Sequence, residues 1–186
     1  MHQSRWTRES CLENLRRTLP PDEPDLPTLR SIVFAHATSI PFESLDPVSG
    51  VAVSLDINAI FDKLVRRRRG GYCFEQNALL AAALREVGFN VDELSARVTY
   101  NTPVGVTPPR THVFLAVTID GTRWLVPTFV HQVQLGDQWG DVYEFTGETM
   151  PKIDQEMGNW WTSTHPPYDF RSGVRPQAFG FCGNRG

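Results

Sequence analysis

Cysteine is scarce in this sequence, which has only three thiols, Cys11, Cys73 and Cys182, among 186 residues. Three cysteines cannot all pair with one another, and their wide spacing excludes the closely spaced cysteine ligands of a structural zinc site. This cysteine usage indicates a reducing compartment. We therefore expect a cytoplasmic protein that holds no metal.

Long apolar runs and an excess of charge are also lacking. No stretch approaches the roughly 18 consecutive apolar residues of a transmembrane helix, and the first residues lack the apolar segment of a secretory signal. The formal net charge of −3 argues against a general nucleic-acid binder. With 40% apolar and 21% charged residues, the composition is that of a globular protein. We expect neither a membrane nor a nucleic acid as partner, and the oligomeric state stays open.

The first part of the chain, residues 1–88, has the pattern of a helical domain. Apolar residues recur at helical spacing, and one segment is apolar nearly all round, which indicates a buried helix. Asp56 or Ser54 is suited to begin one helix, and Gly88 is suited to end another. Helices are predicted after Ser10 and over residues 28–40, 54–69 and 72–89.

Beyond Gly88 the hydrophobic pattern changes to the alternation of half-buried strands. The Asp120-Gly121 pair between two apolar runs indicates a tight hairpin. We predict a small antiparallel sheet or partial barrel over residues 89–150, followed by an irregular segment over 151–186. The fold class is therefore α+β. Strands are predicted over 93–100, 112–119 and 122–126, with a second hairpin formed by 129–135 and 141–145.

Cys73 lies in unusual surroundings for a core cysteine. The pair Gly70-Gly71 precedes it, and the cysteine falls in the first turn of the predicted helix 72–89. Unsatisfied N–H groups and the helix dipole at this position favour a thiolate and lower the thiol pKa, and the arginines at 66–69 add positive charge. On these grounds Cys73 is either a buried core residue or a nucleophile, and the residues alone leave both open.

A thiol nucleophile needs a base, and His112 is the histidine best placed to supply one. It opens an apolar strand directly after a proline-rich loop, where a rigid side chain can reach a cleft. His2 is terminal and His36 falls in a helical pattern, so both are interpreted as structural or exposed. A structural role for His112 stays an alternative.

Four segments resemble motifs of the arylamine N-acetyltransferase family. "RRGGYCFEQN" contains Cys73 and is similar to the cysteine motif of that family, and "PRTHVFLAV" contains His112 and resembles its histidine strand. "IPFESLD" at 40–46 and "NWWTSTHP" at 159–166 resemble two further motifs in the same order. The resemblance implies a papain-like core, made of a helical domain and a β-barrel domain, and a third, lid-like α/β domain.

The resemblance also implies a reaction. Cys73 is the expected nucleophile and His112 the expected base of a ping-pong acetyl transfer, with acetyl-CoA as the co-substrate. The implied acceptors are small-molecule arylamines, hydrazines or N-hydroxyarylamines. Phe42 is expected to border the acceptor site.

The sequence departs from the family pattern at two places. Pro127 stands where the family has the aspartate that completes the triad, and an internal deletion is expected next to it. After residue 166 the chain does not resemble the third domain, so the lid is expected to be largely absent. These departures leave three hypotheses: an active acetyltransferase, an inactive relative that binds small molecules, or a thioesterase or amide synthase on the same core.

The remaining expectations concern structural side chains. Arg69 and Glu75 are expected to form an ion pair beneath the site. Trp160 and Trp161 are expected to pack against the barrel. Core positions are expected for four aromatic residues, Phe42, Phe74, Trp124 and Phe129.

Overall fold

The computed structural model describes residues 23–99, 102–103, 105–126, 132–135 and 138–164. The helix expected after Ser10 lies outside this part of the chain. Five helices and six strands are described. The helices are α1 (Leu26–Ser39), α2 (Leu45–Val48), α3 (Ile57–Phe61), which continues as a π-helical turn (Asp62–Arg66), α4 (Cys73–Val87) and α5 (Lys152–Thr164).

The helices expected over 28–40, 54–69 and 72–89 are present, with Asp56 and Gly88 at the ends expected for them, whereas α1 begins at Leu26, before its expected start. Asp25 caps α1 by accepting a hydrogen bond from the backbone N–H of Thr28 at 2.8 Å. Asp56 caps α3 in the same way, with the N–H groups of Asn58 and Ala59 as donors. Gly88 ends α4 with a φ of 106°, a left-handed conformation that glycine adopts without strain. The helices expected here are therefore confirmed.

Four strands form one antiparallel sheet in the order β3-β2-β1-β6, and two more form a separate pair, β4-β5. The expected antiparallel sheet is thus present. The strands are β1 (Asn90–Val98), β2 (His112–Ile119), β3 (Thr122–Val126), β4 (Gln132–Leu135), β5 (Gln138–Asp141) and β6 (Tyr143–Thr149).

One of the two expected hairpins is confirmed and the other is wrong. Strands β2 and β3 are joined by Asp120 and Gly121, whose φ angles are 48° and 75°, as a two-residue hairpin turn requires. The expected second hairpin pairs 129–135 with 141–145, but of the latter segment only Asp141 lies opposite β4, at Gln132, and the part from Tyr143 onward does not. It pairs with β1 instead, while β4 pairs with β5. Alternation marks a strand but does not identify its partner, which tertiary packing selects.

The core lies between α4 and the sheet. Leu80 and Leu84 of α4 form one buried cluster with Leu115 and Val117 of β2. Each such side chain contributes about 1.5–3 kcal/mol through removal of apolar surface from water. Because α4 begins at Cys73 and β2 begins at His112, this packing also brings the starts of both elements together.

Helix α5 corrects the expectation of an irregular segment after residue 150. Its buried face carries Gln155, Gly158, Asn159 and Thr162, whereas Ile153, Met157 and Trp160 are exposed. A helix that turns polar residues inward lacks the apolar stripe by which a helix is recognised in a sequence. Residues 165–186, the rest of the expected irregular segment, lie outside the described part.

The aromatic residues divide between core and surface. Phe74 is 1% exposed, so its expected core position is confirmed. Phe42 and Trp124 are 48% and 37% exposed, so the core positions expected for them are wrong, and Trp160 does not pack inward. Phe129 lies outside the described residues, and Trp161 is half-buried.

None of the helices in the described residues is long and apolar enough to cross a bilayer.

His36 on α1 gives the protein a predicted sensitivity to acid. Burial lowers the pKa of its imidazole from 6.5 to about 4, against a smaller opposing contribution from the Gln76 side chain. Because the pKa is lower in the folded state, the unfolded chain binds more protons, and this stabilisation is lost as pH falls through that window. We expect the free energy of unfolding to fall by up to about 1.4 kcal/mol per pH unit there.

Urea unfolding of the protein and of His36→Leu over this pH window tests the prediction. The variant should show a flatter dependence of the unfolding free energy on pH. Parallel profiles for the two proteins would contradict a half-buried His36 with a lowered pKa.

Candidate active site

The motif "IPFESLD" contacts the motif "RRGGYCFEQN" at the glycine pair before Cys73. The backbone N–H of Gly71 donates to the carbonyl of Pro41 at 3.3 Å, and the N–H of Glu43 donates to the carbonyl of Gly71 at 3.1 Å. A Cβ at Gly70 would lie 2.2 Å from the Pro41 carbonyl oxygen. One at Gly71 would lie 2.8 Å from a Glu75 oxygen. At both positions another part of the protein lies too close to the backbone for a side chain to fit, so both residues must be glycine.

The expected ion pair between Arg69 and Glu75 is wrong. Glu75 contacts the ammonium group of Lys63 at 2.7 Å, while Arg69 contacts Glu43 and Asp46, each at 2.8 Å. Lys63 also contacts Asp46 at 2.7 Å, so the charges form one chain from Arg69 through Asp46 and Lys63 to Glu75. The π-helical turn carries Lys63 into the space between the two carboxylates, which apolar spacing alone could not indicate. Arg69 and Glu75 are therefore linked only indirectly, through Asp46 and Lys63.

Glu75 connects this ion-pair network to Tyr72, the residue before Cys73. Its second carboxylate oxygen accepts a hydrogen bond from the backbone N–H of Tyr72 at 3.2 Å, which is one half of a capping box. Burial opposes the charge on Lys63, but the hydrogen bonds to Asp46 and Glu75 outweigh it and raise the pKa of Lys63. The turn that precedes Cys73 is therefore held by the buried side chain of Glu75, which Lys63 contacts in turn.

Cys73 is the first residue of α4 and is 5% exposed. Its thiol donates to the carbonyl oxygen of Thr111 with an S–O distance of 3.9 Å. The Asn77 side chain donates to the carbonyls of Cys73 and Val113, at 2.9 Å each. These contacts fix the start of α4 against the chain on both sides of His112.

The thiol pKa differs from the expectation. Burial raises the pKa of Cys73 to about 12, although the backbone N–H groups of Phe74 and of Cys73 itself act in the opposite direction. The arginines do not reverse this, because Arg67 is paired with Asp62 and Arg69 with Glu43 and Asp46. The effect of lost hydration on the thiol pKa is therefore larger than that of the N–H groups at the helix start.

His112 opens β2 and is 4% exposed. Its ring stacks on Tyr143, with centroids 4.3 Å apart and an angle of 27° between the planes. The ring of Phe114 packs against the same imidazole in an edge-to-face arrangement, with ring centroids 4.8 Å apart. Burial raises the pKa of Tyr143, and the negative charge of a Cys73 thiolate would raise it as well. Tyr143 therefore stacks on His112 and is also close enough to Cys73 to interact with its charge.

The structure brings together most of the site residues expected from the sequence. Cys73 contacts the carbonyl of Thr111, the residue before His112, and Phe42 lies beside Gly71 in a parallel bridge. Pro127 lies outside the described residues, one position beyond the end of β3 at Val126. Among the described residues, no group of three or more His, Cys, Asp or Glu side chains is arranged to hold a metal ion.

Sequence reasoning missed four residues of this site: Asp46, Lys63, Asn77 and Tyr143. A signal was available for Asn77, because an amide one turn after Cys73 interrupts an otherwise apolar helix and must find partners when buried. No comparable signal marks Lys63, which follows an acidic residue in a charged segment.

Comparison with known proteins agrees with this geometry. Residues 25–128 match the family model described as N-acetyltransferase. The arylamine N-acetyltransferase of Mycobacterium tuberculosis is 37% identical, over 82% of this chain and 67% of the relative. That of Mycolicibacterium smegmatis is 40% identical, over 81% and 69%.

Solved structures give the same result for the fold. The M. tuberculosis enzyme aligns with a TM-score of 0.76 at 33% identity, covering 90% of this chain and 75% of that one. The Mycobacterium marinum enzyme in complex with CoA aligns with a TM-score of 0.71 at 35% identity, covering 86% and 73%. The α+β class with a papain-like core is confirmed, and the chain belongs to the arylamine N-acetyltransferase family of enzymes.

Proposed function

We propose that this protein transfers an acetyl group from acetyl-CoA to an arylamine, a hydrazine or an N-hydroxyarylamine through an acetylated Cys73. One observation carries the proposal: the buried thiol of Cys73 points at the carbonyl of Thr111, the residue next to His112. The family and the M. marinum relative solved with CoA support the choice of donor. Relatives named for arylamines support the choice of acceptor.

The first half-reaction requires a base. Because its pKa is about 12, the thiol is neutral at rest, and its proton must pass to the imidazole of His112 as sulfur attacks the thioester carbonyl. The N–H groups in the first turn of α4 have no acceptor within the helix and can stabilise the oxyanion. When the intermediate collapses, the C–S bond to CoA breaks and His112 returns the proton to the CoA sulfur.

The second half-reaction runs in the opposite direction. The amine nitrogen attacks the acetyl-cysteine carbonyl, and the cysteine sulfur leaves while the amine proton returns to it through His112. The product is the acetylated amine and the free thiol. Phe42, beside Gly71 and 48% exposed, is suited to contact the acceptor ring at the surface of the site.

The experiment that tests this function is the intact mass of the protein after brief incubation with acetyl-CoA. We expect a gain of one acetyl group, no gain in Cys73→Ala, and loss of the group when an aniline is added. Absence of any gain in a folded sample would favour an inactive relative. Loss of the group without an amine would favour a thioesterase.

A further inference from the structure

Two consecutive residues of α5 hold the two neighbours of Cys73 in the chain. Asn159 contacts Tyr72, and Gly158 lies against Phe74. These α5 residues are more than 80 positions away from the cysteine in the sequence. Helix α5 therefore packs directly against the start of α4.

Asn159 is fully engaged at this contact. Its side-chain oxygen accepts a hydrogen bond from the Tyr72 hydroxyl, and its amide nitrogen donates to the carbonyl of Val53 at 2.9 Å. Tyr72 is 2% exposed and Asn159 is 9% exposed. Water cannot readily replace either partner, because both groups are buried.

The absence of a side chain at Gly158 allows α5 to pack closely against Phe74 and Arg110. A Cβ at this position would lie 2.8 Å from the ring end of Phe74 and 3.2 Å from the carbonyl oxygen of Arg110. Arg110 precedes Thr111, whose carbonyl accepts the hydrogen bond from Cys73. The same turn of α5 thus contacts the residues on both sides of Cys73, and it also contacts Arg110, two residues before His112.

We propose that Asn159 is a positioning residue for the acylation of Cys73 and acts through Tyr72. Tyr72 is fixed at two points, since Glu75 holds its backbone N–H and Asn159 holds its hydroxyl. Cys73 follows directly, so its sulfur is aimed by these two contacts. A displacement of about 1 Å at a reacting atom can lower a rate about 100-fold. This inference rests on the proposed acyl transfer.

The test is the pre-steady-state burst of p-nitrophenolate when the full chain reacts with p-nitrophenyl acetate. Asn159→Ala and Tyr72→Phe should each lower the burst rate constant by about 10- to 100-fold, with an unchanged burst amplitude per folded molecule. The double variant should show no further loss, because both changes remove the same hydrogen bond. Glu156→Gln, on the exposed side of α5, should match the unchanged protein and serves as the control.

The outcomes separate positioning from a purely structural role. A structural role lowers the burst amplitude, through loss of folded protein, and leaves the rate constant within twofold of the control; that result would overturn the proposal. If the unchanged protein gives no burst, the proposed function fails, and alkylation of Cys73 by iodoacetamide decides on positioning. Equal alkylation rates in all variants would then reject it, whereas a non-additive change of more than threefold in the Asn159 and Tyr72 variants would support it.

Discussion

Replacing His112 by glutamine should lower the rate of Cys73 acetylation by acetyl-CoA by about 10²- to 10⁴-fold. The physical reason is the burial of the thiol, whose pKa of about 12 leaves almost no thiolate near neutral pH. Without a nearby imidazole, the proton has no acceptor as the C–S bond forms. The measurement is the rate of acetyl incorporation by intact mass over a range of pH.

The pH dependence identifies the role of the imidazole. In the unchanged protein the rate should level off as pH rises, whereas in His112→Gln it should keep rising as hydroxide replaces the base. His36→Gln is the matched control, because His36 lies on α1 and the structure shows no contact of it with Cys73 among the described side chains. If His112→Gln and His36→Gln acetylate at equal rates, His112 is not the base.

Replacing Lys63 by methionine should destabilise the fold by about 3–5 kcal/mol, because it leaves the buried carboxylate of Glu75 without its cation, whereas Asp46 keeps Arg69. The side chains of Lys63 and Glu75 are 7% and 3% exposed, and that of Asp46 is 17% exposed. Little water reaches them, so hydration cannot compensate for the lost contacts. Urea unfolding at neutral pH measures the loss.

Arg67→Met is the matched control for charge removal in the same segment. Arg67 is 58% exposed and pairs with Asp62, which is 47% exposed, so the change should cost no more than about 1 kcal/mol. The double variant Lys63→Met with Glu75→Gln should recover part of the loss, since one unpaired charge is removed. Equal costs for Lys63→Met and Arg67→Met would show that the buried network does not stabilise the protein.

Much of the local structure follows from residues that act over short distances. Asp25 and Asp56 cap their helices through hydrogen bonds that span two or three residues, and Gly88 ends α4 by its own conformation. The turn at Asp120 and Gly121 is equally local. Such features are visible in the sequence because cause and effect lie in the same segment.

The errors occur where distant segments meet. The expected partner of Arg69 is wrong because Lys63, which lies in the π-helical turn, is the cation that contacts Glu75. Helix α5 was missed because its buried face is polar, and those polar groups find partners on other elements. The thiol pKa was expected to fall, but burial under neighbouring elements outweighs the helix start.

The sequence by itself determined the family and most of the helical and strand segments up to β3, and it supplied the proposed reactive pair, Cys73 and His112. It did so because motifs, caps and hydrophobic periods are properties of short segments. Only the tertiary structure decided what surrounds that pair: the Lys63 network, the stack of Tyr143 on His112, and the contact of Asn159 with Tyr72. Burial and partner choice depend on groups far apart in the chain, so they arise only when the whole core has packed.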